Sequence, residues 1–122
     1  MAKVLIIDDS SFMRTYLRGY LEAAGHEVND FLPGSALEVI ERIKTWRPDL
    51  VLSDFNMPNV DGIAVARSSR RIAPEVPVVI VTANRDPAKE AVLGTIGVRR
   101  ILYKPLKGED LLVAVAEVLA QR

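Results

Sequence analysis

Four short runs rich in Val, Ile and Leu punctuate the chain: Val4–Ile7, Leu50–Leu52, Val76–Val81 and Ile101–Tyr103. None alternates with polar residues, which is the pattern of strands covered on both faces of a parallel sheet. A more polar segment, Glu27–Phe31, fits as a strand between the first two runs. Between the strands, apolar positions recur at helical spacing. Phe12, Met13, Tyr16, Leu17, Tyr20, Leu21 and Ala24 make one stripe, and Gly25 is placed to end that helix. Ser35 and Glu38 have capping-box spacing ahead of a second helix expected to bury Leu37, Ile40 and Ile43. Asp61 is placed to cap a third helix ending near Ala73, and Asp86-Pro87 reads as cap and first-turn proline of a fourth. Gly94 weakens that fourth helix. Leu111, Leu112, Val115, Val118 and Leu119 form the stripe of a fifth.

The alternation predicts one α/β domain over residues 1–122, a (βα)5 doubly wound parallel five-stranded sheet with right-handed crossovers. The fifth helix runs almost to the C-terminus, so no output domain is expected to follow it.

Composition narrows the function. Sixteen basic residues balance sixteen acidic ones, so no net field draws the chain to nucleic acid or an anionic membrane, and neither is expected as a direct partner. Cysteine is absent, which excludes disulfides, thiolate catalysis and cysteine-ligated zinc. No signal peptide or membrane-length apolar run is present, so a cytoplasmic location is expected. Neither the phosphate-binding loop ending in Gly-Lys-Ser/Thr nor the dinucleotide glycine fingerprint occurs.

In sheets of this kind ligands bind beyond the carboxyl ends of the strands. There the chain places Asp8-Asp9, Ser53-Asp54, Thr82 and Lys104-Pro105 on one rim. Three carboxylates so gathered repel one another and call for a cation, and a site using few carboxylates plus water suits Mg²⁺ better than Ca²⁺. A carboxylate beside a metal can also attack phosphorus, giving an aspartyl phosphate. Asp54 fits the nucleophile, while Lys104 and Thr82 fit as a neutralising ammonium and a hydroxyl donor for the phosphoryl oxygens. Taken singly, each residue also reads as a cap, a solvated lysine or a β-branched strand end.

"LIIDDS", "LVLSDFNMPNVDG", "IVTAN" and "LYKPL" resemble, in order and over the whole chain, the motifs of response-regulator receiver domains. The acceptor segment "SDFNMPNVDG" is most similar to single-domain chemotaxis regulators. The resemblance implies a flavodoxin-like strand order 2-1-3-4-5. It implies a phosphorylation-activated signalling switch, with Asp54 accepting phosphate from a sensor histidine kinase or a histidine phosphotransfer protein. Asp9, Asp54 and the backbone carbonyl of Asn56 would ligate Mg²⁺, with Asp8 acting through water. Thr82 and Lys104 would bind the phosphoryl oxygens, and the Lys104–Pro105 bond is expected to be cis. Met57-Pro58 and Gly62 match the loop after the acceptor. The resemblance also implies that Asn56 and Asn84 would flank the phosphoryl group and tune autodephosphorylation.

One position departs from the pattern. Receivers often carry Tyr or Phe three residues before the lysine, a ring that turns inward when the threonine bonds phosphate; here that position is Ile101. Tyr103, one residue before Lys104, is placed on the opposite face of the strand and is not expected to take over the role. The switch is then expected to act through shifts near Thr82 and the Gly94-containing helix, changing a binding face built from the fourth helix, fifth strand and fifth helix. Apart from promoting its own phosphorylation and dephosphorylation, the chain is not expected to be an enzyme. Its downstream target is an unidentified protein, and the chain is expected to be a monomer or a phosphorylation-dependent dimer. Two alternatives remain from the sequence: a degenerate receiver serving as an unphosphorylated scaffold, and a phosphatase, which Asn56 disfavours by standing where a second acid is commonly found.

Three remaining features read more simply. His26, the only histidine, reads as a solvent-facing loop residue, and Arg67, Arg70 and Arg71 as a solvated helix face, with Arg99 and Arg100 elsewhere. Trp46 reads as helix-end packing.

Overall fold

The structure is a computed structural model describing residues 1–122. Five strands and five helices alternate: β1 (Lys3–Ile7), α1 (Ser11–Ala23), β2 (Glu27–Phe31), α2 (Ala36–Trp46), β3 (Leu50–Asp54), α3 (Gly62–Ile72), β4 (Val78–Thr82), α4 (Pro87–Ile96), β5 (Arg100–Tyr103) and α5 (Gly108–Ala120). The strands form one parallel sheet in the order β2-β1-β3-β4-β5. The half-exposed strands β2 and β5 are the edges, and the three apolar runs lie between them.

Side chains alternate across the sheet, so each central strand feeds two cores. Leu5, Ile7, Val51, Val78 and Ile80 pack with α2, α3 and α4 on one face. Val4, Ile6, Leu50, Leu52, Val79 and Val81 pack with α1 and α5 on the other. No helix is long and apolar enough to cross a membrane.

Three caps form at the expected residues, Ser35, Asp61 and Asp86, while α1 is capped by Ser10, which the sequence reading did not single out. Ser10, Ser35 and Asp61 accept hydrogen bonds from the amides of Met13, Glu38 and Ala64. Asp86 accepts from the amides of Ala88 and Lys89. Glu38 reaches back to the amide of Gly34, one residue earlier than a reciprocal box requires. Helix α4 runs through Gly94 but buries only Leu93. Its last turn is held from outside, because Nη1 of Arg70 donates to the carbonyls of Thr95 at 3.2 Å and Ile96 at 2.6 Å. Arg70 is therefore a cap for orphan helix carbonyls rather than part of a merely solvated face; Arg67 and Arg71 are exposed.

Three other placements differ from the sequence reading. Helix α2 buries Val39 and Ile43, one turn apart, while Ile40 is half-buried and Leu37 is 61% exposed. Phe12 is 76% exposed; five residues before Leu17, it lies about 140° around the helix from the buried stripe. His26 is half-buried, its Nδ1 accepting the Ala2 amide at 3.2 Å, and this burial lowers its pKa. Trp46 packs against the α2–α3 core, with Nζ of Lys3 4.7 Å above its ring.

Candidate functional site

The register of the sheet assembles the rim. Ile7 pairs with Ser53, so the residues that follow, Asp8 and Asp54, stand side by side. Carboxylate oxygens of Asp8, Asp9 and Asp54 all lie within 4.8 Å of one another. Asp8 and Asp54 are buried, at 1% and 8% exposure, whereas Asp9 is exposed. Thr82 pairs with Tyr103 at the ends of β4 and β5, and the backbone amide of Lys104 donates to the Thr82 carbonyl at 2.8 Å. This brings Nζ of Lys104 to 3.3 Å from Oδ1 of Asp54 and 3.7 Å from Oδ2 of Asp8. The Lys104–Pro105 peptide bond is cis.

One cation thus faces three carboxylates. Desolvation raises the pKa of Asp8, opposed by the Ser10 amide on its Oδ1 and by Lys104, with Asp9 adding to the rise. Desolvation also raises Asp54, and the Asp8 charge reinforces it, while Lys104 and the Phe55 amide oppose it. That donor set of clustered, under-neutralised oxygens could hold a metal ion. Both donors to Asp54, the Phe55 amide at 2.9 Å and Lys104, use Oδ1; Oδ2 accepts no hydrogen bond.

Helix α3 approaches the end of β3 closely at Gly62. A Cβ there would lie 2.9 Å from the Phe55 ring and 3.3 Å from the Asp54 carbonyl. The glycine is needed for room, since its φ is not positive.

Thr82 is 6% exposed, and its hydroxyl sits against the β4–α4 loop, 3.4 Å from the Asn84 carbonyl and 3.3 Å from the Asn84 amide. Asn56 and Asn84, both exposed, line a cavity of ≈ 150 Å³ with Thr82, Arg85, Leu93 and Ile101. This cavity lies beside the carboxylates, not among them.

The placement of Tyr103 corrects the sequence reading. Ile101 and Tyr103 are two residues apart and share a face. Ile101 packs with the α4 side of the sheet, Leu102 with the α1–α5 side. Tyr103 turns toward α4 as well: the guanidinium of Arg85 lies 3.8 Å over its ring, and the nearby Glu90 carboxylate raises its pKa. It is Lys104, not Ile101, that lies on the other face from Tyr103. Neither Arg85 nor Glu90 stands out in the sequence.

A model of the response regulator receiver domain matches residues 4–116. The response regulator MprA of Mycobacterium ulcerans is 34% identical over 118 residues, covering 96% of this chain and 50% of that protein. The CAI-1 autoinducer sensor kinase/phosphatase CqsS of Vibrio cholerae is 33% identical over 117 residues, covering 93% of this chain but 17% of that protein. The chain therefore spans half or less of the length of these curated relatives. Among solved structures, chemotaxis protein CheY4 of Vibrio cholerae superposes with a TM-score of 0.89 at 30% identity, covering 97% of this chain and 98% of that one.

Proposed function

Since this chain belongs to the response regulator receiver domain family of two-component signal transduction, we propose that it is a phosphorylation-activated switch with Asp54 as its phosphoacceptor. The observation that carries this reading is the free Oδ2 of Asp54, in a carboxylate paired with Lys104 and with an oxygen within 4.8 Å of two further carboxylates.

Phosphate would come from a phosphohistidine of a sensor kinase or histidine phosphotransfer protein. Oδ2 of Asp54 attacks phosphorus, the P–N bond breaks, and the leaving imidazole nitrogen takes up a proton. Asp8, Asp9, Asp54 and the backbone carbonyl of Asn56 would hold Mg²⁺, which fits a donor set made entirely of oxygen. When bound, Mg²⁺ supplies positive charge to the phosphoryl oxygens. Lys104 supplies a second cation and Thr82 a hydroxyl donor, so the oxygens meet fixed partners in a partly desolvated site. Asn56 and Asn84, at the mouth of the adjoining cavity, would govern the approach of hydrolytic water.

To reach a phosphoryl oxygen, the Thr82 hydroxyl must leave Asn84, which couples the acceptor to the loop entering α4. The α4–β5–α5 face would then bind an unidentified downstream protein differently in the two states. We read residues 1–122 as one cytoplasmic receiver domain that turns over no separate substrate.

Incubation with acetyl phosphate and Mg²⁺ should add one phosphoryl group to the chain, read by intact mass. Equal phosphorylation of an Asp54→Ala variant would sink the proposal.

A further inference from the structure

The Asp8-Asp9 turn is gripped from behind by a charged network that none of the sequence motifs contains. Arg14, in the first turns of α1, donates from Nη1 to the backbone carbonyl of Asp8 at 2.7 Å. Its Nε donates to Oδ1 of Asp30 in β2 at 3.1 Å. The second oxygen of Asp30 is held by Nη1 of Arg18 at 2.7 Å, and Nε of Arg18 pairs with Glu22 at 3.0 Å. The side chains of Arg14 and Asp30 are 19% and 20% exposed, against 42% for Arg18. The inner pair is thus shielded from much of the solvent screening that weakens surface ion pairs.

The two aspartates of the turn are held differently. The Asp8 carboxylate is buried, with the Ser10 amide 2.9 Å from its Oδ1 and Lys104 near its Oδ2. The Asp9 carboxylate is exposed, and no side-chain or backbone donor holds it. Its position relative to Asp54 then depends on the backbone from which it projects, and the carbonyl oxygen of the Asp8–Asp9 peptide is the atom Arg14 grips.

The geometry points to Arg14, braced by Asp30, as the positioning residue that aims the Asp9 carboxylate at Asp54 and so shapes the divalent-cation site. This rests on the Mg²⁺ reading given above. Arg14 itself touches neither the ion nor the phosphoryl group. Groups that orient metal ligands from outside typically carry about 10–100-fold in metal affinity.

The sign of the effect separates positioning from charge. Arg14 is a cation next to an acidic cluster, so on Coulomb grounds its removal tightens divalent binding. On positioning grounds its removal weakens binding. Lysine at this position keeps the charge but lacks the planar fork that spans the Asp8 carbonyl and Asp30 together.

The test is a Mg²⁺ titration of the full chain by calorimetry and amide NMR, with no phosphodonor present. Thermal unfolding without Mg²⁺ monitors the fold of each variant. Arg14→Ala should weaken Mg²⁺ binding by about 10-fold or more. Arg14→Lys should also bind more weakly than the wild type, even where the alanine variant does not fold. Arg18→Ala, which leaves the Arg14–Asp8 bond in place, should stay within about twofold. An Arg14→Ala or Arg14→Lys protein that binds Mg²⁺ as tightly as the wild type, or more tightly, overturns the inference. A wild-type chain with no Mg²⁺-dependent shifts overturns the metal reading itself and this inference with it, and that failure is visible in the unsubstituted protein.

Discussion

Nζ of Lys104 stands 3.3 Å from Oδ1 of Asp54 and leaves Oδ2 of the same carboxylate uncovered. The lysine therefore offsets the charge of Asp54 without occupying the oxygen that would attack under the proposed reading. Because Lys104 opposes the desolvation that raises Asp54, Lys104→Ala should push the Asp54 pKa higher still. Carboxyl ¹³C NMR across an acid titration measures this, and an unchanged midpoint would show that the ammonium does not act on the carboxylate.

The same imbalance sets a pH dependence of stability. Asp8 and Asp54 have folded pKa values raised above the ordinary 3.8, so the folded state binds their protons more tightly than the unfolded chain. Their contribution to stability then falls as pH rises from about 3.8 through the raised values, and the full penalty is present at neutral pH. Asp54→Asn removes one of the repelling charges. Without metal it should melt above the wild type at neutral pH, with the advantage shrinking as pH falls through the acid range. Melting curves that differ by the same amount at every pH would refute the linkage.

A divalent cation held among the three carboxylates would relieve that penalty directly. At about 100-fold excess over its Kd, Mg²⁺ should stabilise the fold by about 2.7 kcal/mol, seen as a higher melting temperature. Asp9→Ala should lose most of this gain while keeping the metal-free fold, since Asp9 is exposed and no donor holds its carboxylate. An Asp9→Ala protein stabilised as much as the wild type would remove Asp9 from the ligand set.

Much of this was legible in the chain because the physics is local. Apolar runs mark the central strands, and Ser35, Asp61 and Asp86 mark helix starts with their own hydrogen bonds. The rim was legible for a topological reason: parallel strands end on the same side, so their terminal polar residues must meet. Helix phase was less so, because apolar residues occur on more than one side of α2. Leu37 and Ile40 compete with Val39 in the sequence, and only packing on the sheet chooses. The two faces carry different costs: Ile43→Ala should lose about 2–5 kcal/mol, and Leu37→Ala no more than about 0.5 kcal/mol. Urea unfolding of the two variants decides it, and equal losses would contradict the observed rotation of α2.

Contacts between charged side chains far apart in sequence were not legible. Nothing local joins Arg14 to Asp30 or Arg85 to Tyr103, pairs that exist only once α1 lies on β2 and the β4–α4 loop lies on β5.

The Arg85–Tyr103 contact yields the last prediction. Glu90 is the largest cause of the raised Tyr103 pKa, and Arg85 opposes it. Glu90→Gln should therefore bring Tyr103 back toward 10.0, and Arg85→Ala should raise it further. Ring ¹³C NMR resolves Tyr103 from Tyr16 and Tyr20, which lie together on α1 and should not respond. The contact also adjoins the carboxylate rim: Thr82 pairs with Tyr103 across the strands, and its hydroxyl contacts Asn84, the neighbour of Arg85. Beryllofluoride with Mg²⁺, standing in for the phosphoryl group, should draw the Thr82 hydroxyl away from Asn84 and shift the Arg85 loop. The Tyr103 signal should then move in the wild type and stay in place in Thr82→Ala, while amides near Asp54 respond in both. Equal movement of Tyr103 in the two proteins would mean that the loop senses the acceptor by a route that bypasses Thr82.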